Sequence, residues 1–199
     1  MTSTRLHEPP AAPLLLRQLV ARVPVASVLA VLGVLATGIR PLALGIVAVA
    51  AVTEELVRVD VAEHRLPNRL VLPLYPVVLL SLIADGAISG SNPLVGIAAG
   101  AGWLLFLLVL CLAGGMGMGD VKLGGVLGLC LGGLSVVTSI GGLMLAFVAG
   151  AIGGVIVLLR RPASGGASRG ALRVPFGPFL LAGFWLAVVC FPLLADATA

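Results

Sequence analysis

A chain of 199 residues that is 60% hydrophobic and 10% charged, its charges clustered between long uncharged runs, is built as a multi-span membrane protein rather than a soluble domain. Its basic character, with an isoelectric point near 9.6, does not point to nucleic acid, because the arginines and lysine are spread over short loops with no patch and no aromatic interleaving. Cys111, Cys130 and Cys190 are isolated inside apolar runs and form no C-x-x-C pair, so no zinc or redox motif can be built from sequence neighbours, and helix packing is their expected role.

Taken in chain order, residues 1–22 are basic and polar and are expected to form a cytoplasmic N-terminal segment. Apolar runs then occupy roughly 23–39, 41–59, 70–89, 94–113, 121–139, 140–160 and 174–195, each near the ~20 residues a helix needs to cross a bilayer. The first run is also the length of a signal-peptide core, with Val34-Leu35-Ala36 as a passable cleavage site. Gly38-Ile39-Arg40-Pro41 instead reads as a tight exterior turn into the second run, which fits a retained hairpin. The second run carries Glu54 and Glu55 and ends at Asp60, ahead of His64-Arg65-Leu66-Pro67-Asn68. Asp85, followed by Gly86, reads as an exterior boundary residue, and Trp103 and Trp185 as packing. Gly114-Gly115-Met116-Gly117-Met118-Gly119 breaks the chain before Asp120. The stretch 121–160 is twice too long for one span and is divided at Ser139 to Gly142. Arg160 to Arg173 is a small, polar loop. The expected fold is therefore an all-α, polytopic helical membrane bundle of seven helices, with six as the alternative, and residues 23–199 form a single membrane-embedded domain.

Orientation follows from the basic residues. With seven spans and the N-terminus in the cytoplasm, Arg5, Arg17, Arg22, Arg58, Arg65, Arg69, Lys122, Arg160, Arg161, Arg169 and Arg173 are cytoplasmic, and only Arg40 lies outside. This arrangement puts Asp60 and Asp120 at the same, cytoplasmic, face.

An ionisable side chain at membrane depth is costly and marks a functional site. Gly117 and Gly119 lack a Cβ, so the backbone beside Asp120 can bend and admit another chain closely. Most other glycines, including Gly100, Gly102, Gly124, Gly125, Gly128, Gly132 and Gly133, are expected to serve helix packing. Two aspartates at the ends of two helices are the raw material of an aspartyl protease: one carboxylate takes a proton from water while the other, protonated, donates. Asp60 lies towards the negative end of its own helix and Asp120 near the positive start of the next. That difference biases the shared proton towards Asp60 and makes Asp120 the base. Pro67 and Asn68 are expected to stop the helix so that Asp60 keeps a fixed height. Lys122 is about 200° round a helix from Asp120 and is expected to face away and snorkel to the headgroups. His64, one turn from Asp60, is expected to be a solvated loop residue.

Asp60, seven residues before Pro67-Asn68, together with Gly117-Met118-Gly119-Asp120-Val121-Lys122-Leu123, resembles the type IV prepilin peptidase family, membrane aspartic proteases of the GxGD type. Val174-Pro175-Phe176-Gly177-Pro178-Phe179-Leu180 is similar to a further stretch common in that family, and the resemblance covers roughly residues 42–190. It implies that Asp60 and Asp120 are the catalytic pair, that Gly117, Met118 and Gly119 form the active-site loop, and that Pro67, Asn68 and Lys122 support the site. It also implies a multi-pass protein of the cytoplasmic (inner) membrane needing no metal or cofactor. The substrate would be a prepilin or pseudopilin whose basic leader stays cytoplasmic and is cut away after a glycine; membrane lipid is the other partner, and oligomeric state is not indicated. Longer relatives carry a cytoplasmic domain with paired cysteines linked to N-methylation, and its absence here leads to the expectation of cleavage without methylation. The chain departs from the family in Thr53-Glu54-Glu55, where apolar residues are usual. A presenilin-like protease fits less well, since Asp60 follows Val59 and no Pro-Ala-Leu occurs. An ion-coupled transporter or a catalytically silent relative with paired carboxylates is the non-enzymatic alternative.

Overall fold

The computed structural model describes residues 12–159 and 175–197; Arg5 and the loop from Arg160 to Arg173 lie outside the described residues. Among those described, the chain is helical with no strand. It forms α1 (Ala12–Thr37), α2 (Leu42–Glu63), the single turn α3 (Asn68–Val71), α4 (Leu74–Ser89), α5 (Pro93–Leu112), α6 (Met118–Leu134), α7 (Val136–Leu159) and α8 (Gly177–Ala197). Seven long helices match the expected count, in a helical membrane bundle.

Among the described residues three segments, Asn68–Ser89, Pro93–Leu112 and Val136–Val157, are long and apolar enough to cross a bilayer by length and composition. Pro24–Thr37 and Gly177–Leu193 are shorter apolar helices. The two helices that carry Asp60 and Asp120 are not among those three segments. α2 holds Glu54, Glu55, Arg58, Asp60 and Glu63, and α6 is only 17 residues long and opens with Asp120 and Lys122.

Two boundaries differ from those the sequence suggests. α1 begins at Ala12, not near 23, and contains Pro24. Leu14, Leu15 and Leu16 are good helix formers, and the arginines that lower local hydropathy do not break a helix. The long apolar stretch divides at Ser135, not at Ser139 to Gly142. Ser135 is extended (φ −167°, ψ 157°), and its hydroxyl accepts the Thr138 N–H at 3.0 Å, a Ser cap on the first turn of α7.

α6 is the centre of the bundle. From Leu123 to Gly132 every residue is buried, and Leu123, Val126, Leu127, Cys130 and Leu131 are fully so. Such burial on all sides needs small residues where backbones meet. Gly96 and Gly100 on α5 face Gly125, Leu129, Gly132 and Gly133 on α6. A Cβ on Gly100 would lie 3.0 Å from the Gly125 carbonyl oxygen, and one on Gly132 would lie 3.0 Å from Gly96 Cα. Of the glycines expected to pack, Gly102 does not, since a Cβ there would meet nothing within 4 Å. The tryptophans do more than pack. Trp103 Nε1–H donates to Ser139 Oγ at 3.0 Å, tying α5 to α7, and Trp185 Nε1–H donates to Thr53 Oγ1 at 3.2 Å, tying α8 to α2.

At the α1–α2 turn, Asp85 from the last part of α4 is wholly buried. Arg40 Nε–H donates to Asp85 Oδ1 at 2.8 Å and Arg40 Nη2 pairs with Oδ2. The Ser91 hydroxyl donates to Oδ2 at 2.9 Å, and the Leu42 N–H, in the first turn of α2, points at Oδ1 from 3.4 Å. The fork of an arginine matches both carboxylate oxygens. Removing the cation strands a buried anion, so Arg40→Ala should lower unfolding free energy by about 3–5 kcal/mol. Asp85→Asn added to it should recover part of the loss in thermal denaturation in detergent. Equal stability of Arg40→Ala and wild type would show that this pair does not hold the turn.

Candidate active site

Thr53, Leu56 and Asp60 are buried along one face of α2, which keeps the Asp60 side chain on the inner side of the bundle. The helix continues one turn beyond Asp60 and stops at His64, whose left-handed conformation (φ 53°) lets its N–H close on the Asp60 carbonyl at 2.9 Å. The stop therefore comes three residues before Pro67. Pro67 is extended (ψ 122°) and acts as the N-cap residue of α3, with Asn68 first in that turn. Asp60 is 4% exposed, and its Oδ2 accepts the Gly177 N–H at 3.0 Å. Gly177 opens α8, where first-turn amides have no partner within their own helix. A Cβ at Gly177 would stand 2.6 Å from Asp60 Oδ2, so only glycine permits this approach.

Asp120 is the third residue of α6, after Met118 and Gly119, with Gly117 as N-cap. Its Oδ2 reaches back to accept the Gly117 N–H at 3.2 Å, half of a capping box. Its other oxygen, Oδ1, is buried and has no hydrogen-bond partner. The glycine-rich turn serves two separate needs. Gly114 takes a left-handed φ of 84° to reverse the chain after α5, and Gly119 lets Leu66 come close, since a Cβ there would lie 2.8 Å from Leu66 Cβ. Met118 is exposed at the rim.

Asp60 and Asp120 line one cleft of about 290 Å³ together with His64, Arg65, Leu66, Asn68, Gly117, Met118, Gly119 and Lys122. Lys122 does not turn away from the site, because its Nζ donates to Asn68 Oδ1 at 3.0 Å across the cleft wall. The cleft sits at the end of α6, where the 64–68 segment curls around the first turn, so two faces of the helix border it. The Tyr75 hydroxyl donates to the Lys122 carbonyl oxygen at 2.8 Å and fixes that turn against α4. Glu55 is engaged along α2 by Arg58, at 2.7 Å. Among the described residues no three His, Cys, Asp or Glu side chains gather as a metal site.

Both aspartates lie outside the apolar runs, Asp60 after the run 41–59 and Asp120 before the run 121–139. Burial pushes the Asp60 carboxyl above its usual range, and the Gly177 N–H and His64 pull it back. Burial and then the neighbouring Asp60 charge push Asp120 up to about 7, with the Gly117 N–H opposing. Both carboxyls are thus raised, Asp120 the more, which favours the protonated form there, whereas helix ends alone favour it at Asp60. Desolvation at Asp120 outweighs a macrodipole effect worth ~0.3–1 kcal/mol, and the first turn of α8 brings a positive end to Asp60 as well. Two carboxyls raised to different extents can share one proton near neutral pH, the arrangement needed to deprotonate water and protonate a carbonyl.

The type IV leader peptidase family matches residues 55–158, a stretch containing both aspartates and the glycine-rich turn between them. The chain belongs to that family. A curated relative, the prepilin leader peptidase/N-methyltransferase of Aeromonas hydrophila, is 33% identical over 138 residues, which cover 66% of this chain and 44% of the relative. The chain thus spans less than half the length of that leader peptidase relative. No solved structure matches it. Gly177 lies beyond the stretch matched to the leader peptidase family, yet it touches Asp60 directly. In the sequence Gly177 belongs to the Val174 to Leu180 stretch similar to one common in the family, and the signal for its role is a glycine at a helix start with no capping side chain before it.

The raised Asp120 carboxyl carries a stability consequence. A group that prefers its protonated form in the fold contributes stability below its unfolded value, and this is lost as pH rises from about 4 towards 7. Asp120→Asn removes the titration. Its melting temperature should exceed wild type by about 5 °C above pH 7, the gap closing as pH falls towards 4. A gap of constant size from pH 4 to 9 would contradict the electrostatic account of Asp120.

Proposed function

We propose that this protein is a prepilin leader peptidase that cuts the basic leader from type IV pilin-like or pseudopilin precursors, with Asp60 and Asp120 as an aspartyl pair of the GxGD type. The observation that carries the reading is the shared cleft: two carboxylates 60 positions apart in sequence converge there, each with one oxygen held by a backbone N–H and the two in unlike environments. Family membership supports the same reading.

In the proposed reaction Asp60 takes a proton from a water whose oxygen attacks the scissile carbonyl carbon. Asp120 gives its proton to the carbonyl oxygen as the tetrahedral intermediate forms. Collapse breaks the C–N bond, the amine leaves with the proton held by Asp60, and the hydroxyl proton returns to Asp120, so the pair ends as it began. Gly117, Met118 and Gly119 shape the loop beside the scissile bond. Lys122 and Asn68 brace the opposite wall, and Pro67 sets the entry to α3. The site lies at helix ends, where water and an extended substrate backbone both have access; a regular helix in lipid offers neither. The distribution of basic residues supports a cytoplasmic orientation for this end in the inner membrane, with the substrate's hydrophobic helix in the bilayer and its leader in the cytoplasm.

Asp60→Asn and Asp120→Asn should each reduce cleavage by roughly 10²–10⁴-fold while leaving the protein folded, whereas Glu54→Gln should keep most activity. The assay is co-expression with a prepilin-like substrate carrying a basic leader, a glycine and a hydrophobic helix, followed by mass measurement of the substrate N-terminus. Wild-type activity should fall as pH rises past about 7, where Asp120 loses its proton. Cleavage at the wild-type rate by either Asp→Asn variant would end the aspartyl-protease reading.

A further inference from the structure

We propose that Gly177 is a positioning residue for the cleavage reaction: its N–H holds Asp60 as the ionised, water-activating member of the pair, so that α8 completes the active site from beyond the helices that carry the aspartates. This inference rests on the reading of Asp60 and Asp120 as the catalytic pair and adds to it what decides their division of labour.

Three observations converge. The Gly177 N–H is buried and donates to Asp60 Oδ2 at 3.0 Å across 117 positions of sequence. An N–H donor is satisfied by either form of a carboxyl but favours the ionised one, and the first turn of α8 adds its positive end to the same oxygen. The fit also excludes side chains: a Cβ would stand 2.6 Å from Asp60 Oδ2, 3.2 Å from Asp60 Cγ and 3.4 Å from Leu66 Cδ2. Phe176 precedes Gly177 and offers no side-chain acceptor, while Pro178 follows it and has no N–H. The first amide of α8 therefore has Asp60 as its partner and Asp60 has that amide.

The contrast with Asp120 gives the bond its meaning. Asp120 also accepts one backbone N–H, from Gly117, but its second oxygen is buried without a partner. A bare buried oxygen is best carried by a protonated carboxyl. Ionised Asp60 and protonated Asp120 thus follow from the surroundings of each. The other charged or titratable groups facing the cleft are His64 and Arg65 from the α2–α3 segment and Lys122 from α6, and α8 brings none. Removing the Gly177 contact therefore leaves the side-chain charges around Asp60 unchanged.

Gly177→Ala keeps the amide but drives the carboxylate off it. In purified full-length protein it should lower kcat roughly 10²-fold with little change in KM. The acidic limb of the kcat/KM–pH profile, which reports ionisation of the base, should move up by about one pH unit. Gly102→Ala, at a position with open space, is the control and should match wild type in rate and profile. A second measurement leaves Gly177 untouched. With 15N-glycine labelling, the Gly177 amide resonance should titrate with the acidic limb in wild type and stay still in Asp60→Asn. A Gly177→Ala enzyme that cleaves with the wild-type pH profile, or a Gly177 amide that does not respond to pH in an active wild type, overturns the inference. Failure of wild type to cleave any prepilin-like substrate would instead count against the peptidase reading, and the amide titration would still test the bond itself.

Discussion

A carboxylate inside an apolar bundle needs N–H donors, and the first turn of a helix needs acceptors; in this protein the two needs are met by each other. Asp60 accepts from the first residue of α8, Asp120 from the N-cap residue of its own helix α6, and Asp85 lies against the Leu42 N–H at the start of α2. α2 and α8 lack a capping side chain of their own: Pro41 precedes the first and Phe176 the second. Unmet backbone groups cost several kcal/mol away from water, so each carboxylate is tied to a particular helix start by mutual necessity. Of these carboxylates, Asp85 has a guanidinium as well and Asp120 keeps an oxygen without a protein partner, and that difference separates the ion-paired Asp85 from the two aspartates of the cleft.

The position of the site follows from how α6 is built. A helix surrounded on all sides is relieved of presenting a greasy face to lipid, and its glycines let α5 approach to backbone contact. Neighbours such as α5 and α7 meet the lipid instead, with Leu105, Val109, Met144, Val148 and Ile152 exposed. Shielding by such helices is what allows a short helix to begin with Gly-Asp-Val-Lys at the floor of a cleft. The same shielding desolvates Asp120 and raises its carboxyl, so packing and chemistry have one cause.

The seven long helices, the pairing of Asp60 with Asp120 at one end and the close approach at Gly119 were legible because each leaves a local mark: an apolar run, an acid at its edge, a glycine beside the acid. What escaped depended on partners far along the chain. Asp85 followed by a glycine reads as a span boundary, and nothing beside it shows that Arg40, 45 positions away, is brought against it. Lys122 was placed by helical periodicity, which describes a helix flank and not its end, where the 64–68 segment wraps the first turn. Ser135 carries the capping Ser ahead of Thr138, but the surrounding residues are so uniformly apolar that hydropathy gave no break there. Gly177 stands in a stretch similar to one common in the family, but nothing local shows that its amide meets Asp60, 117 positions away.

Proton placement shows the same limit in energetic terms. Reasoning from each aspartate's own helix compares two dipole contributions of less than a kcal/mol and assigns the proton to Asp60. In the folded bundle each aspartate faces a helix start, so the dipoles nearly cancel as a source of difference. Desolvation is then the larger effect, and it pushes Asp120 further than Asp60. Asymmetry in the pair is therefore a tertiary property, arising from the desolvation of Asp120 within the bundle together with the amide that α8 brings to Asp60.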